Sequence, residues 1–81
     1  MYFDQGRDAF TAGKHDDAAD YFRKAVEADP LFHEAHRFMA ETYEKLGYAH
    51  RAKKAWEQLL RITKDLGEQQ QIRDRMGGTA G

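Results

Sequence analysis

Eighty-one residues make one domain, and a chain this short buries only about 60% of the surface it exposes when unfolded; without cysteine it has no disulfide framework, thiolate metal site or thiol nucleophile. Thirteen basic and fourteen acidic side chains nearly cancel, and a pI of 6.4 is far from the basic value of a nucleic-acid domain. No apolar run approaches the roughly 20 residues of a membrane span and Met1 to Arg7 has no signal-peptide core, so the expectation is a soluble chain, cytoplasmic by default, with neither membrane nor nucleic acid as partner.

No Ser, Thr, Asp or Asn stands ahead of Tyr2 to cap free backbone N–H groups, as expected of a segment cut from something longer. The first helix is predicted over Tyr2 to Ala12, with Phe3, Arg7 and Phe10 on one side by their four- and three-residue steps. Gly13-Lys14 turns the chain. A second helix is predicted from near His15 or Asp16, where acids suit the positive end of the helix dipole, to Ala28. Its inner face is Ala18, Ala19, Phe22, Ala25 and Val26, small residues that let a partner helix approach around one large ring. Asp29-Pro30 ends it, because Pro biases the preceding residue away from helical backbone.

In the stretch His33 to Leu46, Ala35, Phe38, Met39, Thr42, Tyr43 and Leu46 recur at three- and four-residue steps. In a helix this makes a broad apolar stripe, too wide for one neighbour. Gly47 ends it with a left-handed residue. Ala52, Ala55, Trp56, Leu59, Leu60 and Thr63 then repeat the spacing, so the two runs predict an antiparallel hairpin. Leu66-Gly67 marks a further break, and Glu68 to Met76 is predicted as a short polar helix whose apolar contacts are Ile72 and Met76, as a terminal cap requires. Residues 77–81 are expected to form a disordered tail.

The hairpin has a copy upstream, offset by 34 residues: Gly13 matches Gly47, Ala18 matches Ala52, Phe22 matches Trp56 and Ala25 matches Leu59. Gly6 and Ala40, Ala9 and Tyr43, and Ala28 and Ile62 agree in size or polarity. Two helices per 34 residues point to a stacked solenoid. On these residues the chain resembles the tetratricopeptide repeat family from about Met1 to Leu66. The first unit supplies Gly6, Phe10, Gly13, Ala18, Phe22, Ala25 and Pro30, and the second Ala40, Tyr43, Gly47, Ala52, Trp56 and Leu59. Ala9 departs from the usual Tyr, Leu59 from a small residue and Lys64 from the closing Pro, which leaves open whether the fourth helix ends at Leu66 or runs on. The resemblance implies an all-α fold, a right-handed α-α superhelix of two tetratricopeptide helical hairpins plus a C-terminal capping helix. Repeat 1 would occupy residues 1–32, repeat 2 residues 33–66 and the cap residues 67–76.

Charge is uneven along the chain: residues 1–30 carry a balance of −3 and residues 31–81 one of +2. Asp16, Asp17 and Asp20 correspond by repeat to His50, Arg51 and Lys54, so weak ionic complementarity between repeats stands as an expectation beside plain solvated faces, which contribute about 0–1 kcal/mol per pair.

Chemistry is not expected. His33-Glu34-Ala35-His36 spaces its histidines at i and i+3, not the i and i+4 of a zinc-protease helix, and the expectation is ordinary surface histidines and no metal or cofactor. His15 and His50 sit at turn edges. The chain has no Ser, no Cys and no Gly-rich phosphate loop, which argues against an enzyme. A helix-turn-helix DNA reader fits poorly because the turn repeats and the face that would read DNA carries Glu41 and Glu44.

The resemblance implies a non-catalytic protein-interaction module that takes an extended peptide or helix on the concave face of its first helices. Carried over by position, that face would hold Phe3, Arg7, Phe10 and Thr11, then Glu34, Arg37, Phe38, Glu41, Glu44 and Lys45, with Glu68, Gln71 and Arg75 from the cap. Members that clamp chaperone C-terminal carboxylates use Lys, Asn, Asn, Lys and Arg where this chain has Phe3, Arg7, Phe38, Glu68 and Ile72, so that activity is not expected. Phe3, Phe10 and Phe38 either line an aromatic trough for an amphipathic helix or pack on each other or on a lost upstream repeat. Because about three repeats are usual for an independent array, the competing expectation is self-association, with a homodimer supplying the missing core.

Overall fold

The computed structural model describes residues 1–78. Five helices follow in order: α1 (Tyr2–Thr11), α2 (His15–Ala28), α3 (His33–Leu46), α4 (Ala49–Ile62) and α5 (Leu66–Gly78). Turns and irregular backbone make up the rest of the described residues. None of these helices is long and apolar enough to cross a membrane.

The two hairpins close with the same atoms. Gly13 (φ 80°) and Gly47 (φ 79°) take left-handed backbone. The Lys14 N–H donates to the Ala9 carbonyl and the Tyr48 N–H to the Tyr43 carbonyl, both at 2.9 Å. Each bond reaches back over the last helical turn and satisfies a carbonyl that the helix leaves free. This identity of hydrogen bonding at an offset of 34 residues is the repeat expressed in backbone geometry.

The inter-repeat joints differ. α2 gives way to extended backbone at Asp29 (φ −141°, ψ 92°) ahead of Pro30, and the Asp29 carboxylate accepts the Leu31 N–H at 3.1 Å. Lys64 stands at the second joint, yet α4 still stops at Ile62 and Thr63 turns extended (φ −72°, ψ 139°). Side chains replace the missing Pro: Thr63 Oγ1 accepts the Asp65 N–H at 3.2 Å, and Asp65 Oδ1 accepts the N–H groups of Gly67 at 2.8 Å and Glu68 at 3.2 Å. This Asp65 cap starts α5 one residue ahead of the expected cap, so Leu66-Gly67 lies in the helix's first turn and is not a break. α5 also takes in Gly77 and Gly78; the remainder of the expected tail, 79–81, lies outside the described residues.

The core runs along the stack. Ala18, Phe22, Ala52, Ala55, Trp56 and Leu59 from α2 and α4 are buried against Ala9, Met39 and Ala40 from α1 and α3, and Ile72 of α5 closes the far end at 1% exposure. Small residues set the spacing at the Phe22 ring: a Cβ built on Gly6 would lie 2.6 Å from its Cε1. α1 and α3 touch through their rings, Phe3 to Phe38 at 5.7 Å and Phe10 to Phe38 at 5.8 Å between centroids. The ionic complementarity expected between Asp16, Asp17 and Asp20 on α2 and His50, Arg51 and Lys54 on α4 does not form within the chain. Among the described residues no ion pair joins these helices, because α2 and α4 each pack on α3 and not on one another.

Candidate peptide-binding face

α1 meets α3 through the Phe3, Phe10 and Phe38 rings, and α3 meets α5 through side-chain hydrogen bonds, so the three helices follow one another across the stack. Placed by that order, the sequence-derived candidates fall into three groups. Phe3, Phe10 and Phe38 are half-buried and form one ring network with Phe22 and Phe32: Phe3 stands 5.8 Å from Phe22 and 4.8 Å from Phe32, and Phe38 stacks on Phe22 at 5.4 Å. They fill the space between α1 and α3 and offer ring edges rather than a deep trough. Arg7 is exposed above the Phe3 ring, its guanidinium carbon 5.8 Å from the centroid. Glu41 and Lys45 join no ion pair among the described residues.

Arg37 and Glu44 are committed to the cap. Arg37 Nη1 donates to Glu68 Oε2 at 2.6 Å, while the other Glu68 oxygen meets His33 Nε2 at 2.5 Å. Burial pushes the Glu68 carboxyl up, but hydrogen bonds from Thr63 and His33, with the charges of His33 and Arg37, outweigh it and hold the carboxyl below the ordinary value of 4.5. Two turns further along each helix, Glu44 accepts Trp56 Nε1 at 2.8 Å and Arg75 Nη2 at 2.5 Å, and the Arg75 guanidinium lies 4.8 Å from the Trp56 ring centroid. α5 is therefore fastened by charge at both ends and by Ile72 between them. Sequence reasoning missed this clasp. Its signal was present: both ion pairs join residues 31 apart, one repeat less one turn, and an acid and a base recur at that spacing twice.

The histidines do other work than expected. His36 is 4% exposed and so is not a surface residue: its Nε2 donates to the Pro30 carbonyl at 2.7 Å across the loop that precedes α3, and Nδ1 is buried without a partner. His33 faces Glu68 instead, so the two rings do not converge. His15 stands edge-on to Phe10 at 5.3 Å. Among the described residues no group of three or more His, Cys, Asp or Glu could hold a metal ion.

Two open clefts flank α5. One, of about 430 Å³, is lined by Glu44, Ala49, Ala52, Trp56, Arg75 and Met76 among others. The other, of about 590 Å³, includes His33, Arg37, Thr63, Glu68 and Gln71. Both run beside the Glu68 and Glu44 clasps, so the charged groups that hold the cap also shape the surface next to it.

Comparison with known proteins gives one family match, to a tetratricopeptide repeat model over residues 9–74, from the second half of α1 into α5. No curated protein matches the chain. With paired hairpins that share one turn geometry, a small-residue core at a 34-residue offset and a match spanning most of its length, this chain belongs to the tetratricopeptide repeat family.

Proposed function

We infer that this chain serves as tetratricopeptide repeats generally do, as a protein-interaction module and non-catalytic scaffold. We propose that this chain binds an extended peptide or a helix of a partner protein on the face built by α1, α3 and α5. The observation that carries the reading is a division of labour among the charged residues there. Arg37 and Glu44 are paired to the cap, whereas among the described residues Arg7, Glu41 and Lys45 join no ion pair, and Arg7 lies over the half-buried Phe3 ring. Such charges around ring edges fit a polypeptide that places an apolar residue on the rings and its polar groups at the rim. Arg37 and Glu44 serve such a ligand indirectly, by holding α5 as the far wall.

Selection from a library of displayed peptides on the immobilised chain tests this. Peptides so obtained are then titrated against wild type, Arg7→Ala, Lys45→Ala and, on the exposed stripe of α4, Lys54→Ala. Affinity should fall about tenfold for the first two variants and stay unchanged for the third. Equal affinity across all four proteins would remove the inner face as the binding surface.

A further inference from the structure

The outer side of the stack carries a pattern that peptide binding does not explain. Each second helix turns one stripe to solvent at steps of four, three and four residues: Asp16, Asp20, Arg23 and Glu27 on α2, and His50, Lys54, Glu57 and Arg61 on α4. The stripes coincide at an offset of 34 residues, and the charge type reverses at every position. Acid faces base at Asp16 and His50, Asp20 and Lys54, and Glu27 and Arg61; at Arg23 and Glu57 the order is inverted. Asp17 and Arg51, beside the stripes, reverse as well. Among the described residues the stripes hold a single ion pair, the exposed 3.3 Å bridge from Arg23 to Asp20 on one helix.

We propose that this side is a self-complementary docking face for a second copy of the chain, with α2 of each copy beside α4 of the other. Reading each stripe from its N-terminal end gives acid, acid, base, acid on α2 and base, base, acid, base on α4. A parallel alignment in register pairs all four positions. An antiparallel one sets Asp20 against Glu57 and Arg23 against Lys54, which repel. Parallel pairing of α2 with α4 on both sides at once requires a two-fold axis running along the helices. The chain permits it, since α2 and α4 run in the same direction with α3 between them. A foreign acidic or basic partner would need one stripe only; the reciprocal order on two helices singles out another copy. Each stripe is about 17 Å long and wholly polar, so the pair is transient and salt-sensitive, not obligate. The inner face stays free, and this inference stands apart from the peptide-binding reading.

Sedimentation equilibrium across protein concentration and salt provides the test. At low salt the weight-average mass of the wild type should climb from the 9.4 kDa of one chain toward twice that, and return when salt is raised. Asp20→Lys and Lys54→Asp, both at exposed positions, each oppose like charges twice in a dimer and should remain at one-chain mass with unchanged helical circular dichroism. Mixing the two variants restores association, because the altered α2 of one then meets the altered α4 of the other. A wild type that stays at one-chain mass at low salt, single variants that associate as the wild type does, or a mixture that fails to associate would overturn the proposal. So would growth beyond twice the chain mass, which marks open stacking.

Discussion

Gly6→Ala tests the packing logic at its tightest point. The added methyl would meet Phe22 Cε1 at 2.6 Å, Cδ1 at 2.7 Å and Cζ at 3.0 Å, closer than carbon atoms approach. Phe22 has nowhere to go: it is fully buried, stacked on Phe38 at 5.4 Å and tilted against Phe3 at 5.8 Å. Two effects oppose. Replacing Gly by Ala in a helix interior favours the fold by about 1 kcal/mol, whereas overpacking a filled core costs about 1–3 kcal/mol. Because the clash is with the side of a confined ring, the steric term should win and leave a net loss of about 1 kcal/mol. For a domain of this size that lowers Tm by about 4–8 °C, readable by circular dichroism during heating or urea titration. Pairing the change with Phe22→Leu should reverse its sign, since removing the ring leaves the helix-propensity gain unopposed. A Gly6→Ala protein as stable as wild type, or more so, would show that α1 is not held against Phe22 as described.

Gly13→Ala and Gly47→Ala should each cost about 1–2 kcal/mol by urea titration, and by similar amounts. An added Cβ at either meets nothing within 4 Å, so the loss comes from left-handed backbone alone. Glu44→Ala leaves the Trp56 N–H and Arg75 without their shared acceptor, costs about 1–3 kcal/mol, and should speed amide exchange in α5 well before that in α2. The Glu68 carboxyl is held below its ordinary value of 4.5, so its contribution is complete above that pH and lost as pH falls through the lowered folded value. Glu68→Gln should accordingly be less stable than wild type by about 1 kcal/mol at pH 7, and the two unfolding curves should converge in acid; a constant gap down to pH 3 would contradict the assignment.

Elements whose signals are local were legible in the sequence. Gly13, Gly47 and Pro30 dictate backbone at single residues, and the helices begin and end where they allow: α3 occupies the predicted His33–Leu46. The family resemblance and the all-α repeat superhelix were legible for the same reason, since small and aromatic residues at a 34-residue offset need no knowledge of the partner helix. What escaped depends on side chains meeting across the stack. Lys64 gave no stop for α4, because Thr63 and Asp65 supply it through hydrogen bonds that have no periodicity. His36 read as a surface residue because its partner is the backbone carbonyl of Pro30. Arg37 and Glu44 read as free groove charges because their partners lie 31 residues away on a helix with little apolar pattern of its own. Equivalent interfaces can also use different chemistry. Phe3 with Phe38 and His33 with Glu68 share a spacing of 35, rings at one junction and an ion pair at the next.

The proposed guest polypeptide lies on the surface of α1, α3 and α5. Titrating a library-selected peptide into isotopically labelled chain and following amide chemical shifts maps that surface residue by residue. Shifts should concentrate around Arg7, Phe38, Glu41 and Lys45 while Asp20, Arg23, Lys54 and Glu57 stay in place. Shifts confined to the outward stripes of α2 and α4, with the inner helices silent, would contradict that placement.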